Sequence, residues 1–136
     1  MIGASGVGKT SVLSQFAHCS FNDNEASTIG VEYLTHNISV NGQMVRLQLW
    51  DTAGQERYHS VVSQFFRGAA GAVLIFDITS QASFEEVETW RGELARHGPA
   101  NMQVLLVGNK LDLEPLRAVS VEAAQNLAQK HAMCFL

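Results

Sequence analysis

The sequence predicts one α/β domain in which most of the sheet is parallel and one strand of a hairpin is antiparallel. Two continuous apolar runs, at residues 72–76 and 104–107, predict strands covered on both faces, which is typical of a parallel sheet. The amphipathic segment between them predicts the crossover helix that joins parallel strands. Asn41 and Gly42, placed between two alternating segments, predict a tight hairpin turn.

The N-terminal half is predicted to hold one helix and the hairpin. The helix covers residues 9–17 and follows a glycine-rich loop. The hairpin strands cover residues 32–40 and 43–50. Every second residue of the later strand is aliphatic, which predicts that one face of the hairpin is buried. These residues are Val45, Leu47 and Leu49.

Three further helices are predicted in the C-terminal part. The first is short and follows residue 56, with Val61, Val62, Phe65 and Phe66 pointing inward. The second begins at a capping box formed by Ser83 and Glu86 and ends at Gly98 and Pro99. The third covers residues 120–131, with Val121, Ala124, Leu127 and Ala128 pointing inward. Residues 133–136 predict the start of one more strand.

Length and composition limit the function classes. A chain of 136 residues with 46% hydrophobic residues suits one globular domain, which we place at residues 1–136. A net charge of −4 argues against nucleic-acid binding, which usually needs a basic surface. Cys19 and Cys134 match neither a zinc site nor a disulfide framework, so we expect a reduced, intracellular protein. No run of transmembrane length, no signal peptide and no prenylation box is visible, since Cys134 is third from the end rather than fourth.

The motif G-x-x-x-x-G-K-T at residues 3–10 predicts a phosphate-binding loop. Its glycines allow backbone N–H groups to approach a phosphate closely, and the following helix adds its positive N-terminus. Lys9 is long enough to reach the β- and γ-phosphates, and the Thr10 hydroxyl is a suitable ligand for Mg²⁺. The alternative is a glycine-rich turn that matches the motif by chance.

Two more motifs follow predicted strands. Asp51-x-x-Gly54 could hold Mg²⁺ through a water and meet a γ-phosphate with the Gly54 N–H. In Asn109-Lys110-x-Asp112, the Asp112 carboxylate can accept two hydrogen bonds from a guanine edge, whereas adenine offers no matching donors. Each motif alone could be an ordinary polar turn. All of them lie at the carboxyl ends of strands, where open parallel sheets bind ligands, and together they favour a guanine nucleotide.

With these motifs, the sequence is similar to the small GTPases and resembles their Rab branch most. The matching stretches are residues 27–32, 50–57, 66–69 and 76–79. The resemblance implies a three-layer P-loop NTPase fold, GTP and GDP as ligands, Mg²⁺ as cofactor, and GTP hydrolysis in a switch that regulates vesicle and membrane trafficking. In the family, a complete first strand precedes the loop, and a further strand, loop and helix follow residue 136. We therefore expect a partial domain that is marginally stable and weak for GTP.

The resemblance also assigns roles to individual residues. Gln55 would orient the attacking water, and Thr10, Thr28 and Asp51 would hold Mg²⁺. The predicted nucleotide-binding residues are Ser5, Gly6, Val7, Gly8, Lys9, Thr10, Ser11, Phe21, Thr28, Asp51, Gly54, Asn109, Lys110 and Asp112. The predicted effector-binding residues are Ile29, Tyr33, Trp50 and Phe65. On composition alone, the three aromatic residues of that last set are more simply interpreted as core residues.

The implied partners are guanine-nucleotide exchange factors, GTPase-activating proteins, GDP-dissociation inhibitor and effector proteins, with the chain itself a monomer. No arginine lies between Phe21 and Thr28, so we expect slow hydrolysis without a GTPase-activating protein. We expect a cytoplasmic protein on the cytosolic face of endomembranes, attached by a prenylated tail outside this chain, and residues 57–60 resemble endosomal Rabs. Two alternatives remain: a P-loop ATPase or small-molecule kinase, and a truncated interaction module with impaired nucleotide binding.

Overall fold

The computed structural model describes residues 1–22, 28, 30–53 and 62–136. Helices alternate with strands along the chain, as the apolar runs predict, and the α/β class is confirmed. The described α-helices are α1 (Lys9–His18), α2 (Gln81–His97) and α3 (Val121–Lys130). The described strands are β1 (Val31–Val40), β2 (Gln43–Thr52), β3 (Gly71–Asp77), β4 (Gln103–Asn109) and β5 (Cys134–Phe135).

Strands β3, β4 and β5 form a parallel sheet in that order. The register pairs Gly71 with Gln103 at one end and Asp77 with Asn109 at the other. Because the two longer strands start and finish level with each other, their last side chains lie at the same edge of the sheet. This is the edge at which parallel sheets bind ligands.

One face of this sheet carries the main core. The side chains of Leu74 and Leu106 are fully buried there beneath α2 and α3. Trp90 of α2 is also buried, with only 1% of its surface exposed. The opposite face is covered in part by the phosphate loop, where Ala4 and Val7 pack with Ile75, while Val73 and Val107 are half-buried. Helices on one face and the loop on the other explain why β3 and β4 are continuously apolar.

Strands β1 and β2 form a separate antiparallel hairpin with the predicted turn. Asn41 and Gly42 both have positive φ, at 52° and 78°, as a tight two-residue turn requires. The buried face was predicted only in part: Leu47 and Leu49 are half-buried, but Val45 is exposed. The reason is the short reach of α1, which meets the hairpin through a ring contact between Phe16 and His36. Val45 lies beyond that contact, towards the turn.

The hairpin and the parallel sheet are joined through the first two residues of the chain. The Met1 amino group donates to the Trp50 carbonyl at 2.7 Å, and Thr52 Oγ1 donates to the Met1 carbonyl at 2.8 Å. Ile2 forms two backbone hydrogen bonds of 2.9 Å to β3, one to Val73 and one from Ile75. Two residues therefore link two sheets that do not pair with each other directly within the described ranges.

Two predicted details at the starts of the later helices are wrong. Ser83 does not cap α2: Ser80 is the cap, and its side chain accepts from the Ser83 N–H. The Ser83 hydroxyl instead points inward and accepts from the Asp77 N–H at 3.0 Å. Val121, predicted to point inward, is 45% exposed, because it lies in the first turn of α3, before the buried Ala124.

The predicted short helix before β3 is a 3₁₀ helix, Ser63–Gly68. Val62 and Phe66 are buried as predicted, Phe65 is half-buried, and Val61 lies outside the described residues. A second 3₁₀ helix, Leu111–Leu116, follows β4. Among the helices that the structure describes, none is long and apolar enough to cross a membrane.

Candidate functional site

The phosphate loop makes its turn through glycines at positions where a side chain would collide. Gly3 has φ +140°, and a Cβ there would run into the Ile75 carbonyl of β3. Gly8 has φ +92°, and a Cβ there would run into the Asn109 side chain. Glycine is therefore required twice, once against the sheet and once against the neighbouring loop. Ser5 and Gly6, between them, are exposed at the tip.

Lys9 begins α1 and turns its side chain back into the loop. Its Nζ donates to the carbonyls of Gly3 at 2.9 Å and Ala4 at 2.7 Å, and the residue is buried. Burial lowers the pKa of Lys9 to about 8, and the attraction of Asp51 limits that shift. The ammonium is thus held inside the loop at neutral pH, where it can neutralise phosphate oxygens.

Three oxygen-bearing side chains meet beside the loop. Thr10 Oγ1 lies 2.5 Å from Asp51 Oδ2 and 2.7 Å from Thr28 Oγ1, and Thr28 Oγ1 lies 3.5 Å from the same carboxylate oxygen. They come from α1, the segment before β1, and the end of β2. The structure therefore brings together the three residues predicted to hold a metal.

The chemistry of this trio fits Mg²⁺. Hydroxyl and carboxylate oxygens are its preferred donors, and Mg²⁺ retains waters that a second carboxylate oxygen can bind. Asp51 Oδ1 is buried and has no hydrogen-bond partner among the described residues. A buried unpaired carboxylate oxygen is costly unless a donor or cation satisfies it. Thr10, Thr28 and Asp51 are thus suited to hold the ion directly or through water.

The base-recognition motif lies directly beside the phosphate loop. Asn109 ends β4 and donates from Nδ2 to the Val7 carbonyl at 2.8 Å. Lys110 follows in the left-handed conformation with φ 67°. Asp112, in the first turn of the next 3₁₀ helix, has an exposed side chain. The Asn109 bond ties the start of the base motif to the loop suited to phosphates.

Asp77 belongs to this edge and was missed as a site residue in the sequence. It ends β3 level with Asn109, and its Oδ2 lies 2.7 Å from Lys110 Nζ. The sequence shows Asp77 at the end of one apolar run and Asn109-Lys110 after the next. Their pairing depends on the register of the two strands, which neither strand shows alone.

The three aromatic residues predicted to bind effectors form one cluster. The ring centroids of Tyr33 and Trp50 are 4.6 Å apart, and those of Trp50 and Phe65 are 4.8 Å apart. Tyr33 is 48% exposed and Trp50 is 37% exposed, so both rings reach the surface. The geometry suits a docking surface better than a core, and the effector role stays a prediction.

For the remaining predicted site residues, the structure gives the exposure of some and does not describe others. Ser11 is half-buried in the first turn of α1, and Phe21 is 69% exposed. Gly54, Gln55 and Ile29 lie outside the described residues. The roles predicted for the attacking water, the γ-phosphate contact and part of the effector surface therefore stay predictions.

Comparison with known proteins agrees with this geometry. The chain is 48% identical to the Ras-related protein RABA1b of Arabidopsis thaliana and 47% identical to the Ras-related protein YPTC6 of Chlamydomonas reinhardtii, in each case over 136 residues. It is also 48% identical to the GTP-binding protein ypt3 of Schizosaccharomyces pombe. The matches cover 100% of this chain but 63%, 63% and 64% of those relatives. The family model described as the Ras family matches residues 1–136. The phosphate loop, the three oxygen donors and the base motif thus lie in a chain that belongs to the Ras family.

Proposed function

We propose that this chain is the nucleotide-binding part of a Rab-like switch, which binds GTP, hydrolyses it to GDP and regulates membrane trafficking. The observation that carries the proposal is the Asn109–Val7 hydrogen bond of 2.8 Å. It joins the base motif to the phosphate loop, so one nucleotide can be held at both ends. Relatives named as Ras-related and GTP-binding support the same reading.

Guanine selection falls to Asp112. Its carboxylate accepts from the two donors on the guanine edge, and an exposed side chain is open to an incoming base. The other end of the nucleotide is bound by the loop, where the Lys9 ammonium meets the β- and γ-phosphates. The positive N-terminus of α1 adds to this attraction for anions.

Hydrolysis is an in-line displacement at the γ-phosphorus. A water oxygen forms the new bond as the bond to the β,γ-bridging oxygen breaks, and GDP and phosphate leave. Lys9 and the loop N–H groups stabilise the charge that develops on the phosphate oxygens. Thr10, Thr28 and Asp51 would hold Mg²⁺, which would supply additional positive charge to the phosphate oxygens when bound. Gln55, outside the described residues, orients the water.

The switch itself is the response of Thr28 and Asp51 to the γ-phosphate. Both contact Thr10, yet they belong to different segments, one before β1 and one at the end of β2, which meet at the open end of the hairpin. Contacts to the γ-phosphate and metal hold such segments in one arrangement, and hydrolysis releases them. The two arrangements of these segments would be bound differently by the partner proteins, which are exchange factors, GTPase-activating proteins, GDP-dissociation inhibitor and effectors. We place the protein on the cytosolic face of endomembranes, with the endosomal pathway favoured and a prenylated tail as the anchor.

Exchange of the base tests the proposal. Asp112→Asn presents the base with a donor where the parent has an acceptor, so preference should move from guanine to xanthine nucleotides. The measurement is competition of GDP, XDP and ADP against a fluorescent nucleotide, for the parent and the variant. The parent should prefer GDP over ADP, and the variant should prefer XDP over GDP. Equal binding of ADP and GDP by the parent would favour the alternative of a P-loop ATPase or kinase.

A further inference from the structure

We infer that Asp77 is a positioning residue for the guanine site, which acts by holding Lys110 extended beside the base. The inference rests on the proposed function, since it concerns how the base is held. It adds to the Asn-Lys-x-Asp motif a carboxylate from a different strand, about 30 residues earlier in the chain, at a distance typical of a direct ion pair.

Asp77 is held in place from several sides. Its Oδ1 accepts from the Thr79 N–H at 2.8 Å and from the Thr79 hydroxyl at 2.7 Å. Its own N–H donates to the buried Ser83 hydroxyl at 3.0 Å. The side chain is only 10% exposed. A carboxylate fixed at its backbone and at one oxygen leaves the other oxygen, Oδ2, aimed at a single partner.

That partner is Lys110, whose Nζ lies 2.7 Å from Asp77 Oδ2. Burial alone would raise the pKa of Asp77, but the hydrogen bonds from Lys110 and Thr79 hold that pKa below its ordinary value. The carboxylate is therefore charged at neutral pH and attracts the ammonium. Because Asp77 is 10% exposed and Lys110 is 32% exposed, the pair is screened less than a fully exposed ion pair.

Lys110 is fixed at its other end as well. Its backbone has φ 67°, a conformation that residues other than glycine rarely adopt, and its carbonyl accepts from the Leu113 N–H at 2.9 Å. The four-carbon stem thus runs between two anchors. An unanchored lysine loses much rotational freedom when it packs on a ligand, whereas this one is ordered beforehand.

The stem is the part of Lys110 that can pack on the flat face of a base, while Asp112 reads the base edge. The ion pair should therefore affect the affinity for the nucleotide, whereas Asp112 affects the choice between bases. Loss of the anchor should weaken every purine that stacks on the stem by the same factor. It should leave discrimination by the edge unchanged.

The test compares Asp77→Asn with Glu88→Gln. The control removes an ion pair of the same kind, Glu88 with Lys130 at 2.8 Å, which joins α2 to α3 away from the base motif. For each protein we would measure dissociation rates of GDP and of inosine diphosphate, which lacks one edge donor, and the free energy of unfolding in urea.

Asp77→Asn should raise both dissociation rates by the same factor, about three- to tenfold. This factor corresponds to the free energy lost when one long side chain has to become ordered on binding. Glu88→Gln should change neither rate by more than about twofold, within the usual range for an exposed pair. Asp77→Glu, which keeps the charge, should recover part of the loss.

Unchanged rates in Asp77→Asn would overturn the inference. A dissociation rate that changes for only one of the two nucleotides would also overturn it. So would a Glu88→Gln variant that loses as much stability as Asp77→Asn and shows the same change in dissociation rates. If Asp77→Asn does not fold, Thr79→Val removes one donor to Oδ1 and should raise both rates by a smaller common factor. A parent that binds GDP no better than ADP would instead refute the proposed function, so the two failures are distinguishable.

Discussion

The molecule has two halves that differ in how they are held together. The parallel sheet buries side chains such as Leu74 and Leu106 under α2 and α3. The hairpin of β1 and β2 has exposed apolar side chains near its turn, including Met44 at 72%. The parallel half has a core of its own, whereas the hairpin depends on its neighbours.

The difference matters for the site because each half supplies part of it. The parallel half provides Asp77, Asn109 and Lys110 at one edge of the sheet. The hairpin provides Asp51 at the end of β2, where it meets Thr10 of α1. The base and the phosphate loop would therefore belong to the well-packed half, since the loop packs on Ile75 of β3. The hairpin would contribute Asp51 to the metal. The switch proposed above is compatible with this arrangement, because moving segments are drawn from the less stable parts of a fold.

The two tryptophans give the largest test of the comparison, one in each half. Trp90→Ala removes a side chain that is 1% exposed and should lower the free energy of unfolding by about 3–5 kcal/mol. Trp50→Ala removes a ring that is 37% exposed and makes tilted contacts with two others, and should cost about 1–2 kcal/mol. Urea unfolding followed by far-UV circular dichroism measures both.

The matched control is Trp→Phe at each position, which keeps an aromatic ring and should reduce both effects. If Trp50→Ala destabilised the chain as much as Trp90→Ala, the hairpin would be part of the core, and the division into two halves would be wrong.

The sequence predicts the parallel half better than the hairpin, and the reason is physical. A run such as residues 72–76 is apolar because both of its faces are covered, so burial is visible in the sequence itself. Alternation in β2 shows which side chains share a face, but not whether anything covers that face. Val45 was placed inside on alternation alone and is exposed, since α1 stops short of it.

The site shows the same limit. Thr10, Asp51 and Asn109 were found because each lies in a short local motif whose chemistry is readable. Asp77 is not readable in this way, because its partner Lys110 follows a different strand and only the register brings the two together. The cap of α2 shows the same limit, because both Ser80 and Ser83 fit the local pattern of a helix cap. Only the structure shows that the Ser83 hydroxyl turns inward to Asp77, which leaves Ser80 as the cap.

The link between the halves gives a test of intermediate size. Thr52→Val removes the hydroxyl that donates to the Met1 carbonyl at 2.8 Å and keeps the shape of the side chain. We expect a loss of about 1 kcal/mol, because a partly buried carbonyl loses its donor. Hydrogen exchange should quicken in β1 and β2 and stay unchanged in β3 and β4.

The matched control is Thr35→Val, which removes an exposed hydrogen bond to the Tyr33 hydroxyl within the hairpin. It should leave exchange in both sheets close to that of the parent. Equal acceleration in all four strands of Thr52→Val would show that the halves unfold as one unit, and so would contradict their separation.

The smallest expected effect is a pH dependence confined to the parallel half. Glu88 of α2 lies 2.8 Å from Lys130 Nζ and 2.9 Å from His131 Nε2 at the end of α3. Hydrogen bonds from Lys130 and then His131 hold the pKa of Glu88 below its ordinary value of 4.5. A carboxylate with a lowered pKa stabilises the fold above pH 4.5, and that contribution is lost as the pH falls through the lowered pKa.

Glu88→Gln should therefore lower the free energy of unfolding by about 0.5 kcal/mol at pH 7, since the pair is largely exposed, and the difference should vanish in acid. Glu93→Gln is the control: Glu93 pairs with Arg96 and His97 within α2 alone, so its loss cannot loosen α2 from α3. Hydrogen exchange at pH 7 then separates the cases. Glu88→Gln should quicken exchange in α3, where its two partners lie, and leave β1 and β2 as they are. Faster exchange in β1 and β2 would contradict this expectation. It would mean that the contact between α2 and α3 also stabilises the hairpin, although neither helix carries Glu88 or its partners near the hairpin.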